Sequence, residues 1–169
     1  MYNRIFFIAL LGLLSLTACN PFAPAYDPDG LADQNLLGDR TTIDGVFEYF
    51  KNAYEIRDTS LYGPLFANDF TFVYYDFDQA AELTWDKGQE MFTTYNLFRN
   101  VKQINLDWNF YVENRVQGDT AFVVRNFNLT IVEDENSIFS GTGRARLRMR
   151  RDGDGTPWEI FYWFDDSDF

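Results

Sequence analysis

The chain reads as an α+β protein, on three observations. Two stretches in its N-terminal half carry apolar residues at helical spacing, and the C-terminal half is filled by runs that alternate apolar and polar. Aromatic side chains make up 19% of the 169 residues, Phe 18, Tyr 10 and Trp 4, which predicts a wide, ring-filled interior. Helices first and strands afterwards is the order of a layered α+β domain rather than of alternating β-α-β units.

The first eighteen residues read as a secretory signal. Arg4 supplies a positive start, and Ile5 to Leu16 (IFFIALLGLLSL) is apolar but too short for a permanent span. Leu16-Thr17-Ala18-Cys19 resembles the bacterial lipobox, and Cys19 is the only cysteine of the chain. That resemblance implies acyl chains on Cys19, hence a membrane partner, and Asn20 after it implies the outer membrane of a Gram-negative cell envelope. An ordinary cleaved signal with a chance cysteine is the alternative. Residues 19–40 carry Pro21, Pro24, Pro28, Gly30 and Gly38 without periodicity, and read as a lipidated flexible tether. Residues 41–169 form the folded domain.

Within that domain, Thr41 with Asp44 looks like a capping box, and Ile43, Val46, Phe47, Phe50, Ala53 and Tyr54 predict a helix over 42–57. Asp58 caps a short second helix that Gly63-Pro64 interrupts, and 69–75 (DFTFVYY) is a strand. A third helix starts at Thr84 or Asp86, with Trp85, Gly88, Met91, Phe92, Tyr95 and Phe98 as its apolar face. Ile104, Leu106, Trp108, Phe110 and Val112 then alternate with polar residues, which predicts one buried sheet face. Strands over 120–133, 138–151 and 158–164 follow, separated by turns at Gln117-Gly118-Asp119, Asp134 to Ser137 and Asp152 to Gly155.

The segment Phe47 to Asp78 resembles the opening of the nuclear transport factor 2-like superfamily, which includes ketosteroid isomerases and SnoaL-like cyclases. The marks are the helix, Asp58 at the helix–helix turn, the Leu65 to Asp69 step into a strand, and Trp158-Glu159-Ile160 after a Gly-rich hairpin. The resemblance implies a cone: a curved antiparallel sheet wrapped on three N-terminal helices, with a pocket at the wide end. It implies little catalytic equipment. Tyr74 falls where the isomerase base would be, Phe50 at its helix tyrosine and Ala145 near its second acid.

Composition narrows the chemistry further. With no histidine and one cysteine, His-based acid–base work, Ser–His and Cys–His nucleophiles, ordinary zinc sites and internal disulfides are excluded. No metal or cofactor is implied. A net charge of -12 argues against nucleic acid. The remaining acid–base candidates are Asp76, Asp78 and Glu90, with Tyr54 and Tyr74 as donors. Asp76 leads as a weak catalytic candidate because it shares parity with Tyr74, against a bland reading as a solvated strand end.

Two surfaces invite binding. By alternation from Phe72 and Tyr74, the side chains of Trp158, Ile160, Tyr162 and Phe164 point inward; with Phe50, Tyr54, Trp108 and Phe110 they either line an aromatic pocket for a small apolar ligand or fill the core solidly. Arg144, Arg146, Arg148 and Arg150 share the other face, next to Phe161 and Trp163. Either the guanidinium stems cover those rings, or the face is an interface for a second copy or an envelope partner. These readings favour a membrane-anchored, non-catalytic binding or assembly module; the alternative is an isomerase- or cyclase-like enzyme with a rebuilt acid–base site.

Overall fold

A computed structural model describes residues 37–167. The signal, Cys19 and almost all of the tether lie outside the described residues.

Helix α1 spans Ile43–Glu55, with Thr42 rather than Thr41 as its cap: the Thr42 hydroxyl accepts from the Gly45 amide at 3.0 Å. Val46, Phe47, Phe50 and Ala53 form its buried stripe. Asp58 caps the one-turn helix α2, Thr59–Tyr62, and a 3-10 turn over Gly63–Leu65 delivers the chain into strand β1, Phe66–Asp76. A short strand β2, Ala81–Asp86, then folds back on β1, so Trp85 sits on a strand and not on the following helix. Helix α3 is Lys87–Asn100, capped by the Asp86 side chain. Long strands β3 (Gln103–Gln117), β4 (Thr120–Val132), β5 (Ile138–Arg150) and β6 (Glu159–Ser167) complete the domain.

The six strands form one sheet in the order β2-β1-β6-β5-β4-β3. The expected antiparallel sheet is in fact mixed, because the last strand pairs parallel with β1. That pairing joins the N-terminal hairpin to the C-terminal strand and sets the helices against one face. α1 lies on β3, and α3 packs against β1 and β2. The core between them holds Val46, Phe47, Phe50, Tyr62, Leu65 and Phe66 from the helical side, and Ile104, Val123, Leu147, Met149 and Ile160 from the sheet.

Three departures from regular alternation decide which side chains face inward. On β6, Met149 pairs with Ile160 and Arg148 with Tyr162, so Phe161 is an extra residue. This bulge reverses parity, turning Trp163 and Asp165 toward the helices and Tyr162 and Phe164 away. On β3 the register slips between Trp108 and Tyr111 and again before Glu113. Phe110, expected inside, is consequently 69% exposed, and Val112 is exposed with it. On α3 the buried line is Glu90, Thr94 and Phe98, one turn apart, while Phe92 and Tyr95 of the expected apolar face are exposed.

Candidate functional site

The helical layer and the inner sheet face do not meet everywhere. They leave a cavity of about 190 Å³ between α1, α2, α3 and strands β1 to β4 and β6. Phe50 and Tyr54 reach it from α1, Phe72 from β1 and Trp108 from β3, all four as the sequence placed them. The wall is built of rings packed edge to face: Phe50 on Trp108 and Trp163 at centroid distances of 5.4 and 5.5 Å, Phe72 on Trp163 at 5.0 Å. Phe72 also stacks on Trp85 at 4.5 Å with planes 9° apart. Edge-to-face and offset-stacked pairs of this kind each add about 0.5–1.5 kcal/mol beyond the area they bury.

Two carboxyl groups line this apolar space, Glu90 and Asp165. Glu90 stands in the first turn of α3, where the helix dipole favours an acid, and is 5% exposed. Its two oxygens are fully engaged. Oε1 accepts from the Tyr62 hydroxyl at 2.8 Å and the Thr94 hydroxyl at 3.0 Å, and Oε2 accepts from the Trp85 indole at 2.8 Å. Burial, reinforced by the Glu90 charge, pushes the Tyr62 phenol well above its usual pKa, so it remains a donor. Tyr54 is raised in the same direction by burial, Glu90 and Asp165.

Asp165 is held differently. One oxygen, Oδ2, accepts from the Ser167 hydroxyl at 3.0 Å, and the other, Oδ1, is buried with no hydrogen-bond partner. Burial is the main reason its pKa is pushed up to about 6; the nearby Asp166 and Glu90 charges add to it, and the Ser167 bond opposes it. The indole nitrogens of Trp108 and Trp163 are likewise buried and unpartnered. Three lining residues of one cavity that each carry a buried polar atom without a partner are unusual, since buried polar groups are ordinarily satisfied.

The remaining expected residues fall elsewhere. Trp158 and Ile160 are buried in the core without lining the cavity; the Trp158 indole donates to the Thr41 carbonyl at 3.1 Å. Tyr74 borders a neighbouring cleft of about 160 Å³ at the end of β1, shared with Phe77, Phe164 and Asp165. Tyr162 and Phe164, expected in the pocket, lie on the opposite face under Arg148 and Arg146, at 5.0 and 5.7 Å from guanidinium to ring centre. Trp163, expected on the arginine face, lines the cavity. The bulge at Phe161 explains all three exchanges.

Asp76 caps the β1–β2 turn. Its Oδ1 accepts from the amides of Asp78 and Gln79 at 2.9 Å, its Oδ2 from the Gln79 side chain, and it does not line the cavity. On the arginine face, Arg146 donates to Asp166 at 2.7 Å with Arg144 nearby at 3.7 Å, and Arg150 grips Asp69 through both nitrogens while lying over Phe161. Asp165 is the residue that sequence reasoning missed. Its signal was the alternation itself, read through an undetected bulge.

No protein-family model matches the chain, and no curated protein matches it. Solved structures do. A nuclear transport factor 2-like superfamily protein from Salmonella enterica aligns over 75% of this chain and 89% of that one, at 18% identity and TM-score 0.58. A scytalone dehydratase candidate from Novosphingobium aromaticivorans aligns over 82% and 89%, at 13% identity and TM-score 0.65. A conserved protein from Planctomyces limnophilus aligns over 76% and 95%, at 15% identity and TM-score 0.65. The chain has the nuclear transport factor 2-like fold. Proteins on this fold include enzyme candidates and proteins of unknown function, so the fold alone does not choose between binding and catalysis.

Proposed function

We propose that the domain binds a small, compact, largely apolar molecule in the cavity under its sheet, and that acyl chains on Cys19 hold it at a bacterial outer membrane. The observation that carries the binding reading is the ring-walled cavity, three of whose lining residues, Trp108, Trp163 and Asp165, each carry a buried polar atom without a partner. Its volume exceeds the roughly 150 Å³ of a dry engineered cavity that takes benzene. Titrating toluene into the ¹⁵N-labelled protein should shift the indole N–H resonances of Trp108 and Trp163 saturably. Leu97→Phe, which adds bulk to the lining, should weaken the effect, and an unresponsive spectrum would refute the reading. The anchor is tested separately: Cys19→Ala should move the protein from the membrane fraction to the soluble one.

A second reading is favoured by Asp165. A carboxyl whose pKa is about 6 is poised near neutrality, as an acid–base group needs to be. Its Oδ1 would take a proton from a ligand carbon beside a carbonyl, leaving an enolate, and return it to that same carbon or, in a conjugated ligand, to the far end of the dienolate, with the two indoles donating to the enolate oxygen. Hydrogen–deuterium exchange of cyclohexanone in D₂O, faster with the protein than without it and lost in Asp165→Asn, would support catalysis. Equal exchange rates leave binding alone.

A further inference from the structure

The cavity has an unusual charge balance. Two of its fifteen lining residues are acids, none is a lysine or arginine, and eight are aromatic. Neither Glu90 nor Asp165 takes part in an ion pair among the described residues. Arg144 and Arg146 of the neighbouring strand pair with Asp166, on the other face of β6. Buried acids are ordinarily matched by a cation, because a lone charge in an apolar medium is expensive. Here the donors that hold Glu90 are a phenol, a hydroxyl and an indole, all neutral. They bring hydrogen bonds but no positive charge. The two acids therefore stand without a cationic partner inside a cage of ring faces, and ring faces attract cations through their quadrupoles.

We propose that the ligand is a small organic cation, an alkylammonium carrying one acceptor oxygen close to its charge. This rests on the reading of the cavity as a ligand site and names the class of molecule it takes. The ammonium supplies the counter-charge that Glu90 and Asp165 lack, with the aromatic wall around its alkyl groups. The acceptor oxygen answers the indole donors of Trp108 and Trp163, which the cation itself cannot satisfy. An anionic ligand is disfavoured by the same two acids, and a hydrocarbon would leave the two indoles and Asp165 Oδ1 unpartnered.

Choline and its uncharged isostere 3,3-dimethylbutan-1-ol share one shape and one hydroxyl, so they isolate the charge. Both are titrated into the ¹⁵N-labelled full-length protein at pH 7.5, observing the Trp108 and Trp163 indole resonances, with toluene as the control for the cavity itself. Choline is expected to bind at least tenfold more tightly than the alcohol. Asp165→Asn should weaken choline at least fivefold, and by a larger factor than it changes the alcohol. If the alcohol binds as well as choline, or if only toluene binds, the cation is overturned while the ligand cavity stands. If none of the three binds, both fall together. Unchanged choline affinity in Asp165→Asn would overturn the part assigned to that carboxylate.

Discussion

Asp165 makes the sharpest demand at the scale of one residue. Its carboxyl has a pKa of about 6 in the folded protein against 3.8 in the open chain, chiefly because it is buried. Between those values the folded state keeps a proton that the unfolded chain releases. Stability contributed by this group is therefore present at pH 3.8 and below, and falls as pH rises toward 6. Above that the cost is on the order of 3 kcal/mol, at about 1.4 kcal/mol per pH unit. Asp165→Asn should accordingly raise the unfolding midpoint at pH 8 and change it little at pH 4, in paired denaturant titrations. A variant destabilised equally at both values would mean that the carboxylate is compensated inside the fold. Glu90 is the opposite case. Glu90→Ala strands the Tyr62 and Thr94 hydroxyls and the Trp85 indole, and at about 1–3 kcal/mol for each orphaned group it should lower stability by at least about 3 kcal/mol. Glu90 was legible in the sequence as one of three spare acids. Asp165 was not, because nothing in its own neighbourhood separates it from Asp166 beside it, which pairs with Arg144 and Arg146 on the other face.

At the scale of the element, periodicity located β4 and β5 to within a residue, stopped short of the ends of β3 and β6, and failed inside those two. Counting by twos from Trp158 assigns Tyr162 and Phe164 to the interior, and only the extra Phe161 prevents it. The same error on β3 assigned Phe110 to the pocket. Neither bulge carries a glycine or proline to mark it, so the parity change is set by pairing with the neighbouring strand and not by local preference. On α3 the eye follows Phe92 and Tyr95, while tertiary contact buries the Glu90-Thr94-Phe98 line instead. One element does show its constraint through a glycine. A Cβ on Gly143 of β5 would come within 2.6 Å of the Phe127 ring and 2.8 Å of the Ser167 side chain. Phe127 lines the cavity and Ser167 donates to Asp165. Gly143→Ala should therefore cost about 1–3 kcal/mol by overpacking. It should also perturb the indole resonances of the cavity without touching it, whereas an unshifted spectrum would separate the strand packing from the site.

At the scale of the whole molecule the layered α+β class was legible because it depends on long patterns, helix-spaced rings followed by alternating strands. The parallel pairing of β1 with β6 was not, since it joins segments at opposite ends of the domain and leaves no periodic trace. Charge is also a property at this scale. The chain carries -12 overall, and a negative surface raises the encounter rate of small cations while leaving neutral molecules unaffected. The effect reaches about 30 Å at 0.01 M salt and about 10 Å at 0.1 M. Association of choline should therefore slow several-fold as salt rises between those concentrations, and that of 3,3-dimethylbutan-1-ol should not, in stopped-flow tryptophan fluorescence. Equal salt sensitivity for the two would show that the acidic surface does not guide ligands to the cavity, and that any preference for the cation arises wholly inside it.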